Sequence, residues 1–263
     1  MNLLTFNPFR TIGIPNIKYV KPEHMFEERE KISEADVCLF PENWQVNALV
    51  YGMKKNIYPS IQSIQMGFNK IEVTRALWSV CPEHVPQTMI LGRNDDNINK
   101  VLSTLPFPFV AKEIRNSMGK GVFLIENHQQ FTEYVENNPY LYVQEYLPID
   151  RDLRVCFVGD EVISSYWRIN ERTDFKNNVA QGARISFDDI PEEANEVVTK
   201  VATALGVNHA GFDLVFVNDR IYILEFNILF GNQGFQQSGI SVEKKVHEFL
   251  LKTYQNNTTE STQ

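Results

Sequence analysis

Cysteine is scarce in this 263-residue chain: Cys38, Cys81 and Cys156 lie far apart, odd in number and without a Cys-x-x-Cys pairing. That excludes a disulfide framework and predicts buried free thiols in a reducing compartment. Basic runs are missing as well. With a formal net charge of −8 and no basic stripe, a dedicated nucleic-acid binder is excluded. No apolar run approaches the roughly 18–20 residues that span a bilayer. Met1-Asn-Leu-Leu-Thr-Phe6 has neither a charged n-region nor a long apolar h-region, so a cytoplasmic protein without membrane partners is expected. Neither a Gly-x-Gly-x-x-Gly fingerprint nor a Walker loop occurs. What remains is an ordinary globular composition, 43% apolar and 22% charged, with room for one large domain or two modest ones.

Residues 1–66 alternate strand-like pieces at 3–6, 17–20 and 36–40 with helix-like pieces at 22–32 and 43–54. That alternation predicts a small parallel α/β unit, more a supporting or substrate-side domain than a dinucleotide-binding one. A helix is expected over 67–80, with Lys70 in its first turn. The helix dipole disfavours a cation there unless an anion joins it. Strands at 107–112 and 122–125 flank a loop with Ser117, Gly119 and Gly121. Its amides either close over phosphate or form an ordinary hairpin turn. A helix over 128–136 leads to an apolar strand that ends in Gln144-Glu145-Tyr146-Leu147. A hairpin across Gly159-Asp160 then joins 152–158 to 161–169, with Arg168 placed to clamp phosphate or carboxylate. Residues 171–184 read as a loop, 191–205 as a helix stopped by Gly206, and 256–263 as a disordered polar tail.

The stretch Gly211–Asn227 reads as a second hairpin around Asn218-Asp219-Arg220. A two-residue loop would pair Val217 with Arg220 and throw Asp213 and Glu225 onto opposite faces. A three-residue loop pairs Val217 with Ile221 and sets Asp213 opposite Glu225, because strand side chains alternate. The three-residue loop is the expected one. It puts Phe212, Leu214, Phe216, Tyr222, Leu224 and Phe226 on one face, and Val215, Val217, Ile221 and Ile223 on the other. Asp213, Glu225 and Asn227 cluster at one end of that second face. Two carboxylates and an amide suit a hard divalent cation; the alternative is edge residues reaching water.

In order along the chain, Lys70, Lys112, Ser117-Met-Gly-Lys-Gly121, Gln144-Glu-Tyr-Leu147, Asp152-Leu-Arg154, Arg168, Lys176-Asn-Asn178, Gly211-Phe-Asp213 and Glu225-Phe-Asn227 resemble the ATP-grasp superfamily, specifically its RimK-type carboxylate–amine ligases. The resemblance covers roughly residues 60–250. It implies an α/β chain of the α+β ATP-grasp kind: two α+β subdomains gripping ATP across 67–255, with a lid subdomain at about 105–147, preceded by the short α/β domain 1–66. It makes Lys70 and Lys112 the phosphate-contacting lysines, Ser117, Gly119 and Gly121 the lid, and Gln144, Glu145, Tyr146 and Leu147 the adenine hinge. Asp152 falls near the ribose. Arg168 and Lys112 are the catalytic candidates, and Lys176 and Asn178 join Arg168 towards the transferred phosphoryl group. Asp213, Glu225 and Asn227 become ligands of magnesium, as two ions, with manganese an admissible substitute.

The implied chemistry activates a carboxylate as an acyl phosphate that an amine then attacks, with small-molecule or peptide substrates; a homodimer is compatible with it. A small-molecule kinase on the same fold and a non-catalytic nucleotide-binding module are the alternatives. The sequence departs from the family pattern after Asn227, where Ile228-Leu-Phe-Gly-Asn-Gln-Gly-Phe235 replaces a small residue followed by Ser-Pro-Gly. It departs again at Ala180-Gln-Gly182, in place of His-Arg-Gly. The acceptor of RimK-type enzymes, a protein C-terminus, therefore does not carry over.

Overall fold

A computed structural model describes residues 1–67, 69–114, 121–169, 184–231 and 233–255. Its first sheet holds β1 (Leu3–Thr5), β2 (Ile17–Tyr19), β3 (Val37–Leu39) and β4 (Asn56–Tyr58), all parallel in the order β2-β1-β3-β4. β1 and β3 are buried along their whole length, as strands covered on both faces are. The helix expected over 22–32 is broken. A 3-10 turn at Pro22–His24 is followed by bends, and α1 covers only Arg29–Ser33. Met25 and Ile32, both fully buried, pin its two ends, and that packing overrides the helical propensity of the charged stretch between. α2 (Asn43–Asn47) runs into a π turn at Ala48–Gly52.

The helix expected over 67–80 is α4 (Lys70–Val80), and a separate short helix, α3 (Ile61–Met66), precedes it. The Asn69 side chain accepts from the Ile71 amide at 2.9 Å, and this cap fixes the start of α4 at Lys70. The second sheet is antiparallel, in the order β5-β8-β6-β7. It contains β5 (Thr88–Gly92), β6 (Phe109–Lys112), β7 (Val122–Ile125) and β8 (Tyr140–Glu145), with α5 (Asp95–Thr104) and α6 (His128–Asn137) packed on it. It reaches back to Thr88, upstream of the edge expected for the lid.

The third sheet, β11-β10-β9-β12-β13, is antiparallel throughout. Its strands are β9 (Arg151–Val158), β10 (Glu161–Ile169), β11 (Arg184–Ser186), β12 (His209–Val217) and β13 (Arg220–Asn227). Between β11 and β12, α7 (Glu192–Leu205) sets Val198, Val201 and Ala202 against Leu153, Val155, Phe157, Phe212 and Leu214 on one face of the sheet. After α8 (Gln233–Ser238), α9 (Val242–Gln255) packs Val246 and Leu250 with Phe230, Tyr166 and residues of the first sheet. All three cysteines are buried free thiols. No helix among the described residues is long and apolar enough to cross a membrane. The tail at 256–263 and most of the loop at 171–184 lie outside the described residues.

The hairpin corrects one expectation and keeps its consequence. Val217 pairs with Arg220, so the turn has two residues, Asn218 and Asp219, both with positive φ (51° and 59°) as a type I′ turn requires. Asp213 nevertheless faces Glu225. The register shifts between Asp213 and Leu214, where Leu214 pairs with Ile223 and Leu224 is the extra residue of a β-bulge. The odd residue that the loop was expected to hold sits inside β13 instead. Ile221 and Ile223 therefore share the core face with Phe212, and Tyr222 shares the other face with Val215.

Candidate active site

Cross-strand pairing aligns the charged residues into one patch. Arg168 on β10 pairs with Asp152 on β9; Arg154 on β9 pairs with Asp213 on β12; Asp213 pairs with Glu225 and Gly211 with Asn227 on β13. Directly paired residues share a face, and so do residues two apart on one strand, so the whole set faces away from α7. Gly211 is required here. A Cβ at this position would stand 2.6 Å from Arg154 Nη1 and 3.0 Å from Phe230 Cβ.

The buried end of the patch is a chain of four alternating charges. Arg168 holds Asp152 through both oxygens, with Nε 2.8 Å from Oδ1, and its Nη2 lies 2.9 Å from Asp213 Oδ1. Arg154 donates from Nη2 to Asp213 Oδ2 at 3.1 Å. Its Nε comes within 2.6 Å of Oδ1 without the alignment of a hydrogen bond, so this contact is Coulombic. Burial opposes the charge on Arg168, yet the facing carboxylates outweigh it and hold its pKa above the ordinary value. Burial lifts the Asp152 carboxyl to about 6, against the pull of Arg168.

The other end is more open. Glu225 is half-buried; its Oε1 accepts from Asn227 Nδ2 at 3.2 Å and its Oε2 lies 3.9 Å from Lys70 Nζ, at the start of α4. Lys112 reaches in from the end of β6. It is buried and donates to Gln144 Oε1 at 2.8 Å, while Gln144 Nε2 donates to Thr88 Oγ1 at 2.8 Å. Lys112 also lies over the Tyr142 ring, whose hydroxyl is 2.7 Å from Thr74 Oγ1. Burial, reinforced by Lys70, lowers Lys112 to about 8 against the pull of Glu225 and Asp213. Four cations (Lys70, Lys112, Arg154, Arg168) thus meet three carboxylates (Asp152, Asp213, Glu225), an excess of one positive charge that suits a polyanion.

The structure therefore brings together Lys70, Lys112, Gln144, Asp152, Arg168, Asp213, Glu225 and Asn227. Glu145 accepts from the Gln87 amide at 2.7 Å, and Tyr146 and Leu147 lie half-buried in the link between the second and third sheets. Gly121 closes the β6–β7 loop, its carbonyl accepting from the Glu113 amide at 2.7 Å. Ser117, Gly119, Lys176 and Asn178 lie outside the described residues. Arg154 was missing from the candidate site set. The signal was available, because Asp152 and Arg154 are two apart on a strand. Thr74, Tyr142 and Thr88 carried no such signal, since only tertiary packing sets the Tyr142 ring against Lys112, Thr74 on its hydroxyl and Thr88 on Gln144.

The donors suit magnesium chemically. Asp213, Glu225 and Asn227 offer only oxygen ligands on one face, and Asp213 Oδ1 is buried without an aligned hydrogen-bond donor. Among the described residues no three carboxylates, histidines or cysteines are grouped so as to hold a metal ion by themselves, and the third donor this set would offer is the Asn227 amide oxygen.

Residues 73–250 match the family model described as a RimK-like ATP-grasp domain. The chain is 26% identical over 219 residues to a coenzyme gamma-F420-2:alpha-L-glutamate ligase of Methanocaldococcus jannaschii, covering 80% of this chain and 75% of that one. It is 28% identical over 173 residues to a ribosomal protein bS6–L-glutamate ligase of Escherichia coli, covering 63% and 58%. Among solved structures, a RimK domain ATP-grasp protein from Sphaerobacter thermophilus superposes with a TM-score of 0.67 at 15% identity, covering 82% of this chain and 81% of that one. A D-alanine–D-alanine ligase from Bacillus anthracis, complexed with ATP, reaches 0.70 at 14% identity over 96% and 91%. The charged sheet face and the match over two thirds of its length lead to one assignment: this chain belongs to the RimK-like ATP-grasp family of ATP-dependent ligases.

Proposed function

We propose that this chain uses ATP and magnesium to join a carboxylate to an amine, with ADP and phosphate as products. The observation that carries the reading is the single sheet face on which four cations and three carboxylates converge beside Asn227. A carboxylate repels an amine and has no good leaving group. Attack of its oxygen on the γ-phosphorus breaks the bond to ADP and gives an acyl phosphate. The amine nitrogen then forms the amide bond, loses a proton, and phosphate leaves with the electrons of the broken C–O bond. Such transfer needs positioning and charge neutralisation above all.

Asp213, Glu225 and Asn227 would hold magnesium, which supplies charge neutralisation at the phosphate oxygens. Lys70 and Lys112 neutralise phosphate from two sides. Arg168 faces the transferred group, and Asp152, which holds it through both oxygens, aims the guanidinium as well as standing towards the ribose. Gln144 is committed to Lys112 and Thr88, so adenine reading falls to the backbone of Glu145–Leu147. Ser117, Gly119 and Gly121 close the lid that keeps water from the acyl phosphate, and Lys176 and Asn178 complete the phosphoryl site.

Hydroxylamine trapping tests the reading. With ATP, magnesium and a panel of amino acids and dipeptides, a hydroxamate should form alongside ADP. ADP without hydroxamate would point to a kinase, and absence of ADP across the panel to a binding module.

A further inference from the structure

Arg154 lies on β9 between two cross-strand partners, Tyr166 on β10 and Asp213 on β12. It is buried, and among the described residues Asp213 is the only carboxylate it touches. Arg168 differs, because it is committed to Asp152 through both oxygens and reaches Asp213 with one nitrogen.

The two oxygens of Asp213 are not equivalent. Oδ2 accepts an aligned hydrogen bond from Arg154 Nη2 at 3.1 Å. Oδ1 is buried and receives no aligned donor, although Arg154 Nε and Arg168 Nη2 lie 2.6 and 2.9 Å away. A carboxylate held through one oxygen has a fixed orientation and keeps the lone pairs of the other for a cation. Outer partners orient metal ligands in this way. Gly211 makes the arrangement possible. A Cβ there would stand 2.6 Å from Arg154 Nη1 and 3.1 Å from its Cδ, so the arginine crosses β12 only because residue 211 has no side chain. Gly211 is two residues from Asp213 and pairs with Asn227, so this seat adjoins two of the three candidate ligands.

We propose that Arg154 is a positioning residue for the metal: seated over Gly211, it holds Asp213 through Oδ2 and so presents Oδ1 alongside Glu225 and Asn227. The proposal rests on the reading of Asp213 as a magnesium ligand. Arg154 acts through Asp213 and not on the phosphates. Arg168 cannot replace it, since its fork is spent on Asp152. A lysine cannot either, because a single ammonium lacks the planar fork that fixes a carboxylate's orientation.

Manganese binding to the full chain with ADP, followed by electron paramagnetic resonance, tests this without turnover. Arg154→Met should weaken manganese by roughly 10–100-fold, and Arg154→Lys by about tenfold. Gly211→Ala keeps every charge, yet should also cost about tenfold by displacing the guanidinium. Added to Arg154→Met, it should cost nothing further. ADP binding in EDTA should hold in all of these variants. Three outcomes would overturn the proposal. Parental manganese affinity in Arg154→Met with a lowered melting temperature would make the residue merely structural. An equal loss of metal-free ADP binding would make it a phosphate contact. Losses that add in the double variant would show that Gly211 acts elsewhere. Should Arg154→Met fail to fold, Arg154→Lys and Gly211→Ala decide by the same readouts. Asp213→Asn separates the two readings. If it leaves manganese binding intact, the magnesium reading itself fails; if it weakens binding while the Arg154 variants do not, only the positioning role does.

Discussion

Strand β12 enters two buried polar clusters that meet burial in opposite ways. Around Asp213, four charged side chains pack so that each guanidinium faces a carboxylate. Around His209, the imidazole is walled by Phe40 and Phe230, and its Nδ1 is 2.9 Å from the Tyr58 hydroxyl. Burial, with Arg10 nearby, pushes its pKa down to about 3, so the ring is neutral. The first cluster faces the proposed nucleotide site, where charge would be of use. The second seals the seam between the first and third sheets, where charge would only cost stability.

The sharpest break of this contrast is Arg168→Met. It strands Asp152 and crowds Asp213, and should cost about 3–5 kcal/mol in urea unfolding. Adding Asp152→Asn should recover much of that loss, and a single variant as stable as the parent would mean that the charges are not mutually supporting. Next is Glu225→Gln at the open end. Turnover should fall by roughly 10²–10³-fold. Its melting temperature should hold, because Glu225 is half-exposed; near-parental turnover would remove the magnesium assignment.

The neutral cluster predicts an acid sensitivity. The unfolded histidine takes up a proton below about 6.5, whereas folded His209 resists until about 3, so stability is fully present above that window and is lost as pH falls through it. By pH 4 the loss should reach about 3 kcal/mol, and His209→Gln should flatten the profile in denaturant titrations at several pH values. The smallest effect concerns Lys112. Its free-state value of about 8 means that phosphate binding draws a proton onto it as pH rises beyond that point. Nucleotide affinity should then fall by up to about tenfold per pH unit above 8. Calorimetry in two buffers of different ionisation heat should record proton uptake, and Lys112→Met should abolish it.

The hairpin shows how far the sequence could be read. Alternation required Asp213 and Glu225 to share a face if they act together, and they do. It could not say whether an odd-length turn or a bulge restores the parity. The I′ geometry at Asn218-Asp219 matches strand twist, so the adjustment moved to Leu224. The helix at 191–205 was legible because its apolar stripe and its stop at Gly206 are local, whereas 22–32 failed because the burial of Met25 and Ile32 is decided by distant partners.

By itself, then, the sequence determined the class of chemistry: the order of lysines, carboxylates and amide along alternating strands, and the parallel pattern of the first sheet. Only the tertiary structure decided how those charges are shared. Arg154 and Arg168 both reach Asp213, Gln144 is taken by Lys112, and Arg10 fastens the loop after Asn227 to the turn that follows β1. Period and propensity act over a few residues, while the pairing of buried charges depends on which strands become neighbours, and that is settled only when the sheets pack.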